Sequence, residues 1–320
     1  MKNHRILITG GTGSLGTALA LELIGDNHIV VISRNEERQF ELEQKLKQIN
    51  SQNYTFVLGR VEDSNSLENA LSECTVVIHA AAMKDLIYAE NNPYECVHNN
   101  IIATQNLLRT IKNFSSVKYL CGISTDKAVS PSSIYGASKL AMESMFLDFS
   151  RRHSQINTTV ARFGNMIDSR GSLVTNWLKK PETLAGISHP NCSRFFFKVN
   201  QAASFILETV SKSPNGTINV PFMKKILIRD LIERINIKSI HNVLGLYPGE
   251  KISEKLVADE ELAFAHLRDY GISINRVDKN ERSNLLSQSE IQFIDSATAD
   301  SFSPIEIDNI LDELKKNAVN

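Results

Sequence analysis

Cysteine is scarce: the 320 residues hold four, Cys74, Cys96, Cys121 and Cys192, with no C-x-x-C pair and no histidine cluster at zinc spacing. That excludes a disulfide scaffold, leaves no metal to expect, and predicts reduced, mostly buried thiols in a cytoplasmic protein. An excess of either charge is also missing, with 35 Lys and Arg against 36 Asp and Glu for a net charge of -1. So balanced a chain has no global electrostatic reason to bind nucleic acid or an anionic membrane; a local basic pocket remains open. Eight prolines and fifteen glycines are too few for a collagen-like or disordered chain. No apolar run approaches the ~20 residues of a membrane helix, and the N-terminus, MKNHRILITGG, meets glycine too early for a signal peptide.

What is present is alternation. Short runs rich in Val, Ile and Thr at Arg5–Thr9, His28–Ser33, Tyr54–Leu58, Thr75–His79, Val117–Ser124 and Thr158–Arg162 read as strands. Between them, Ser14–Ile24, Glu36–Ile49, Ser66–Leu71, Pro93–Ile111 and Ser133–His153 carry apolar residues at helical spacing. Such β-α alternation predicts parallel strands joined by crossover helices. The expected fold is a doubly wound parallel α/β sheet over residues 1–165. A smaller, irregular substrate-binding portion and a tail follow over 166–320, with later segments returning to the sheet. In that half, Thr217–Val220 and Ile237–His241 read as strands. The tail reads as a helix starting near Ser303-Pro304-Ile305-Glu306.

Directly after the first strand stand Gly10, Gly11, Thr12, Gly13, Ser14, Leu15 and Gly16, and a helix follows. A tight turn, a close backbone approach to a pyrophosphate and close helix–sheet packing each require glycine. The helix N-terminus then offers free N–H groups to phosphate. This predicts a dinucleotide-binding Rossmann sheet. At the end of the second strand, where NAD-preferring sheets carry an acid, stand Ser33 and Arg34, with Arg38 a turn later. A carboxylate would repel a 2′-phosphate, whereas guanidinium groups grip it, so NADP is favoured over NAD.

The fifth strand ends in Ser124-Thr125-Asp126-Lys127, and Tyr135 and Lys139 lie four apart on the next helix, sharing one face. The Lys139 ammonium is expected to lower the Tyr135 phenol and make it a usable acid/base. Thr125, with Ser124 as backup, is expected to hold the reacting oxygen. The Asp126–Lys127 pair is either a plain loop ion pair or a coupled acid and base.

Together the glycine loop, the Tyr-x-x-x-Lys pair and the added C-terminal portion resemble the extended short-chain dehydrogenase/reductases that act on nucleotide sugars. The segments SRNEERQ, HAAAMKD, NNPYECVHNNI, STDKAVSPSSIYGASK, ARFGNMIDSRGS, SRFF and YPGEKISE are similar, in order and spacing, to the inverting UDP-N-acetylglucosamine 4,6-dehydratases of the polysaccharide-biosynthesis group. This resemblance runs to about residue 258. It implies that Tyr135 takes the proton of the sugar 4-hydroxyl, Lys127 removes the carbon-5 proton, and Asp126 helps the 6-hydroxyl leave. Hydride taken from carbon 4 returns to carbon 6, and reprotonation from the other face inverts carbon 5. The resemblance also implies that Asp63, Ala80, Ala81, Lys84, Tyr135 and Lys139 join the glycine loop in lining the cofactor. Lys84, Asn100 and Asn165 would face the sugar, Arg170 and Arg194 the UDP pyrophosphate, and Glu250 the uridine ribose. A homo-oligomer built on the helices after the fourth and fifth strands is implied too.

Several positions depart from that family's pattern. Arg60 stands where an Asp usually reaches the adenine, Asp168 where a Gly is usual, and Tyr247 and Ser253 replace an Arg and a His. A sugar-nucleotide 4-epimerase, which needs no acid/base pair for water loss, is the alternative enzyme. A catalytically silent NADP-binding sensor or scaffold is the alternative from another class.

Overall fold

In this computed structural model the described residues are 1–49, 52–179, 186–235, 242–276, 286 and 292–319. Twelve strands are described. In chain order they are β1 (Arg5–Thr9), β2 (His28–Ser33), β3 (Tyr54–Leu58), β4 (Val76–His79), β5 (Tyr119–Thr125), β6 (Asn157–Phe163), β7 (Asn165–Met166), β8 (Ser193–Phe197), β9 (Thr217–Val220), β10 (Lys224–Leu227), β11 (Ala265–Arg268) and β12 (Gly271–Ile274). Nine of them form one sheet, ordered β11-β12-β9-β6-β5-β4-β1-β2-β3. From β3 to β9 every pairing is parallel; β12 and β11 add an antiparallel margin.

The sequence dictates this layout through burial. Ile6, Leu7, Ile8, Val76, Val77 and Ile78 have no exposed surface, because a central parallel strand is covered on both faces. The sheet is a doubly wound Rossmann sheet whose order reverses between β1 and β4, and ligands of such sheets sit at the carboxyl ends of the strands beside that reversal. Thr9–Gly16, Ala80–Lys84, Thr125–Lys127 and Asn165 all follow strands that end there.

Two segments differ from the expected pattern. The stretch Pro93–Ile111 is not one α-helix but Pro93–Val97, a π-helical turn at His98–Ile102 and Ala103–Ile111. The wide turn carries Asn100 inward, where its amide donates to Ser138 Oγ at 2.9 Å and the Met83 carbonyl at 3.0 Å and its oxygen accepts from Met83 N at 2.7 Å. The tail helix Pro304–Val319 starts as expected at Ser303, whose hydroxyl accepts from Glu306 N while Glu306 accepts from Ser303 N. It packs on the helices Leu173–Lys179 and Ile228–Ile235. Together they enclose a second core of Val174, Trp177, Leu231, Ile307, Ile310 and Leu311. The strand expected at Ile237–His241 lies outside the described residues.

Candidate active site

The glycine loop divides its labour among its glycines. A side chain at Gly10, whose φ is +67°, would stand 2.8 Å from Ala81 Cα; at Gly16 it would stand 2.4 Å from Gly11 Cα. At Gly13, by contrast, it would meet only the Gly10 carbonyl, at 3.3 Å. Gly13 is exposed and caps the helix Ser14–Leu23 with no side-chain hydrogen bond. The bare helix N-terminus behind it is an anion cradle, and a dinucleotide pyrophosphate fits it. Thr12 and Ser14 flank the opening while Leu15 turns into the core.

Beside this cradle, Arg34 and Arg38 are exposed and, among the described residues, neither is paired with a carboxylate. Ser33 is held by Gln39, whose side chain donates to its hydroxyl and to its carbonyl, both at 3.1 Å. Arg170 comes to the same side: its backbone N–H donates to Ser14 Oγ at 2.8 Å, its guanidinium pairs with Glu41 at 2.9 Å, and its carbonyl accepts from Lys84 Nζ at 3.3 Å. The backbone of Arg170 is thus tied to the glycine loop. Asp63 is a helix cap. Both its oxygens cap the helix Ser64–Leu71, accepting from the backbone of Asn65 and Ser66 and from the Ser66 hydroxyl, which hold the carboxylate below its usual range.

At the end of β5 the candidate catalytic residues converge. Lys127 Nζ donates to Asp126 Oδ1 at 3.0 Å, Thr125 Oγ1 donates to the same oxygen at 2.9 Å, and Asn165 Oδ1 accepts from Lys127 at 3.4 Å. Asp126 is fully buried, and its other oxygen, Oδ2, has no hydrogen-bond partner among the described residues. That oxygen looks onto Gly164, where a Cβ would lie 3.2 Å away. Burial works to lower the Lys127 ammonium, but Asp126 and Glu254 together hold it above its ordinary value. Burial holds the Tyr135 phenol above its ordinary value, and the Lys127 charge and a hydrogen bond to Thr125 oppose this only in part.

Two expectations change here. The cation that acts on Tyr135 is Lys127; the Lys139 ammonium instead donates to the Ile123 carbonyl at 2.6 Å, and burial pulls it down to about 8. Ser124 is no backup for Thr125, since its hydroxyl donates to Glu143 at 2.6 Å on the buried side of the strand. Asn100 is engaged by Met83 and Ser138, so it props the loop after β4.

Residues 6–273 match the polysaccharide biosynthesis protein family. The chain belongs to that family. A UDP-N-acetylglucosamine 4,6-dehydratase (inverting) of Campylobacter jejuni is 34% identical over 86% of this chain and 85% of its own. A UDP-glucose 4-epimerase of Rickettsia rickettsii is 33% identical over 83% and 81%. The X-ray structure of Pen from Bacillus thuringiensis superposes with a TM-score of 0.86 at 27% identity, covering 98% of each chain.

Elsewhere in this polysaccharide biosynthesis protein, Arg194 on β8 pairs with Glu250 at 3.0 Å and donates to the carbonyls of Ser193 and Ile252. Glu250 also accepts from the Tyr247 backbone N–H at 3.2 Å, so the altered Tyr247-to-Glu254 segment is docked through these two residues. Asp168 accepts from Val199 N at 2.8 Å and thereby holds the start of the helix Val199–Lys212.

The sequence reading missed Glu254. It is the last residue of YPGEKISE, 2% exposed, with Oε2 lacking a hydrogen bond among the described residues, and burial raises its carboxyl. Also missed was the fully buried Arg162, which meets Glu143 and Glu261 at 2.7 Å each. An acidic residue just ahead of the buried run Leu256-Val257-Ala258 is the signal that could have flagged Glu254. No residue of the family likeness moved it from background to candidate.

Proposed function

We propose that the protein is an NADP-dependent nucleotide-sugar 4,6-dehydratase, a hydro-lyase, acting on UDP-GlcNAc with inversion at carbon 5. The observation that carries this reading is the buried Asp126–Lys127 pair set beside Tyr135, because oxidation and reduction at carbon 4 alone need no second acid and base. A nicotinamide dinucleotide seated on the Gly13 cradle supplies hydride acceptance and return. Tyr135 takes the 4-hydroxyl proton, and Lys127 then takes the carbon-5 proton, acidified by the new ketone. Asp126 delivers a proton to the departing 6-hydroxyl from the oxygen that looks onto Gly164. Arg194 and Glu250 lie on the side where the uridine diphosphate would enter, and Lys84 reaches the seam between cofactor and sugar.

The 4-epimerase stays as a second reading, since the Rickettsia relative is as similar as the Campylobacter one. Incubation with UDP-GlcNAc followed by mass spectrometry separates them. Loss of water is the expected result, whereas an isomer of unchanged mass overturns the dehydratase and no change at all leaves the silent sensor.

For the cofactor, Arg34→Ala is expected to weaken NADP binding by roughly 10–150-fold, the worth of a charged hydrogen bond of about 1.5–3 kcal/mol, and to leave NAD binding unchanged. Equal preference for the two dinucleotides in both proteins would remove the assignment. Four free, buried thiols fit a reducing cytoplasm. The exposed Ile87, Tyr88, Tyr94 and Ile102 beside the helix Ala103–Ile111 support a homo-oligomer. Among the described residues no helix is long and apolar enough to cross a membrane.

A further inference from the structure

Residues Asp168 to Ser172 leave β7 and turn back as a short strap with a firmly held root. Asp168 accepts from Val199 N at 2.8 Å, and Ser169, 4% exposed, donates from its backbone to the Met166 carbonyl at 3.3 Å. Ser172 donates from its hydroxyl to the Ile167 carbonyl at 2.7 Å and from its backbone to the Ser169 carbonyl at 2.9 Å. Gly171 closes the turn at φ +73°, a conformation that a side chain would strain, and Arg170 stands exposed at the tip.

That tip touches three elements. The Arg170 N–H donates to Ser14 Oγ at 2.8 Å, on the helix after β1, and its carbonyl accepts from Lys84 Nζ at 3.3 Å, on the loop after β4. Its guanidinium pairs at 2.9 Å with Glu41, on the helix Glu36–Gln48 after β2. Strands β4, β1 and β2 are neighbours in the sheet, whereas the strap itself starts beyond them, after β6 and β7. One residue thus spans the carboxyl ends of three adjacent strands, the crevice in which such a sheet holds a dinucleotide. Gly13, next to Ser14, stays exposed, so the strap leaves the helix N-terminus open to a pyrophosphate.

The proposed reaction has a use for such a strap. Hydride taken from carbon 4 goes back to carbon 6 of the same sugar, so the dinucleotide ends each turnover in the state in which it began. It has no need to leave between turnovers.

We propose that Arg170 is the latch of a strap that keeps the dinucleotide in its crevice from one turnover to the next, with Glu41 as its catch. The cofactor enters and leaves when the Arg170–Glu41 pair opens. This rests on the dinucleotide reading of the glycine loop. The two side chains are 56% and 45% exposed, so the catch opens and re-forms instead of sealing the crevice for good.

The test is NADPH release followed by stopped-flow fluorescence, beside equilibrium NADPH binding, for wild type, Arg170→Met, Glu41→Gln and the double variant. Each single variant is expected to release NADPH about 1.5–5-fold faster, the worth of an exposed ion pair, and the double variant no faster than either. Unchanged rates, or effects that multiply in the double variant, overturn the latch. So does slower release from Glu41→Gln, the sign expected of a carboxylate that merely repels phosphate. A larger effect comes from joining Glu41→Cys and Arg170→Cys with a short bis-maleimide, for which the buried native thiols do not compete. Joined with NADPH aboard, the protein is expected to hold it at least about tenfold longer, and joined empty to take it up correspondingly slowly. Release at the unjoined rate from protein shown by mass spectrometry to be cross-linked overturns the proposal. An Arg170→Met protein that keeps the wild-type release rate but binds UDP weakly returns Arg170 to the sugar nucleotide. Wild type that binds neither NADPH nor NADH at equilibrium removes the dinucleotide reading itself, and the latch with it.

Discussion

Replacing Lys127 with alanine is expected to cut water loss from UDP-GlcNAc by about 10²–10⁴-fold, the usual worth of a placed general base. The loss has two parts. Without the amine the proposed base for the carbon-5 proton is gone, and the Tyr135 phenol loses the Lys127 charge that partly opposes its burial. Asp126→Asn separates them. It leaves Lys127 and Tyr135 in place but removes the acid that protonates the 6-hydroxyl. In deuterated water, Asp126→Asn is therefore expected to exchange the carbon-5 hydrogen while eliminating little water, and Lys127→Ala to do neither. Undiminished turnover in both variants would discard the elimination scheme and return Asp126–Lys127 to the status of a loop ion pair.

Arg162→Ala is expected to destabilise the fold by about 3–5 kcal/mol, the usual result of stripping the partner from a buried charge. Arg162 is fully buried, and its loss leaves the buried Glu143 without its cation and Glu261 with Arg276 alone. Burial works to raise the Glu261 carboxyl, but the Arg162 charge and hydrogen bonds bring it down to about 2. A depressed carboxylate stabilises the fold above its unfolded value of about 4.3 and loses that contribution as pH falls toward its folded value. Wild-type stability should accordingly fall between about pH 5 and 2, and Arg162→Ala should lose much of that slope. Urea unfolding at several pH values measures both effects, and a change below about 1 kcal/mol at pH 7 would contradict them. Replacing Arg162, Glu143 and Glu261 together with apolar residues is expected to recover most of the loss, because then no charge is buried unpaired.

The parts of the molecule legible in the sequence are those written in short-range chemistry. Unbroken Val/Ile runs mark strands covered on both faces, and glycines ahead of a helix mark the phosphate cradle. The errors share a cause as well. Ser124 and Thr125 are neighbours on one strand and point to opposite faces, so composition could not say which hydroxyl met Tyr135. The helix after Asp63 was expected to start at Ser66; it starts at Ser64, which makes Asp63 its cap. Arg170 meets Ser14 across 156 residues, and no local pattern encodes such a meeting.

Distance along the chain also gives the site a history during synthesis. Arg162 meets Glu143 across 19 residues but Glu261 across 99, and strands β12 and β11 reach the sheet later still. At ribosomal rates of about 5–20 residues per second, roughly 5–20 seconds separate the emergence of Arg162 from that of its second partner. During that interval the nascent chain already carries the glycine loop, Tyr135, Asp126 and Lys127, yet Arg162 lacks half of its compensation and Glu254 has not been made. The residues of the glycine loop are thus made early, and the segment that completes the Arg162 ion pairs is made late.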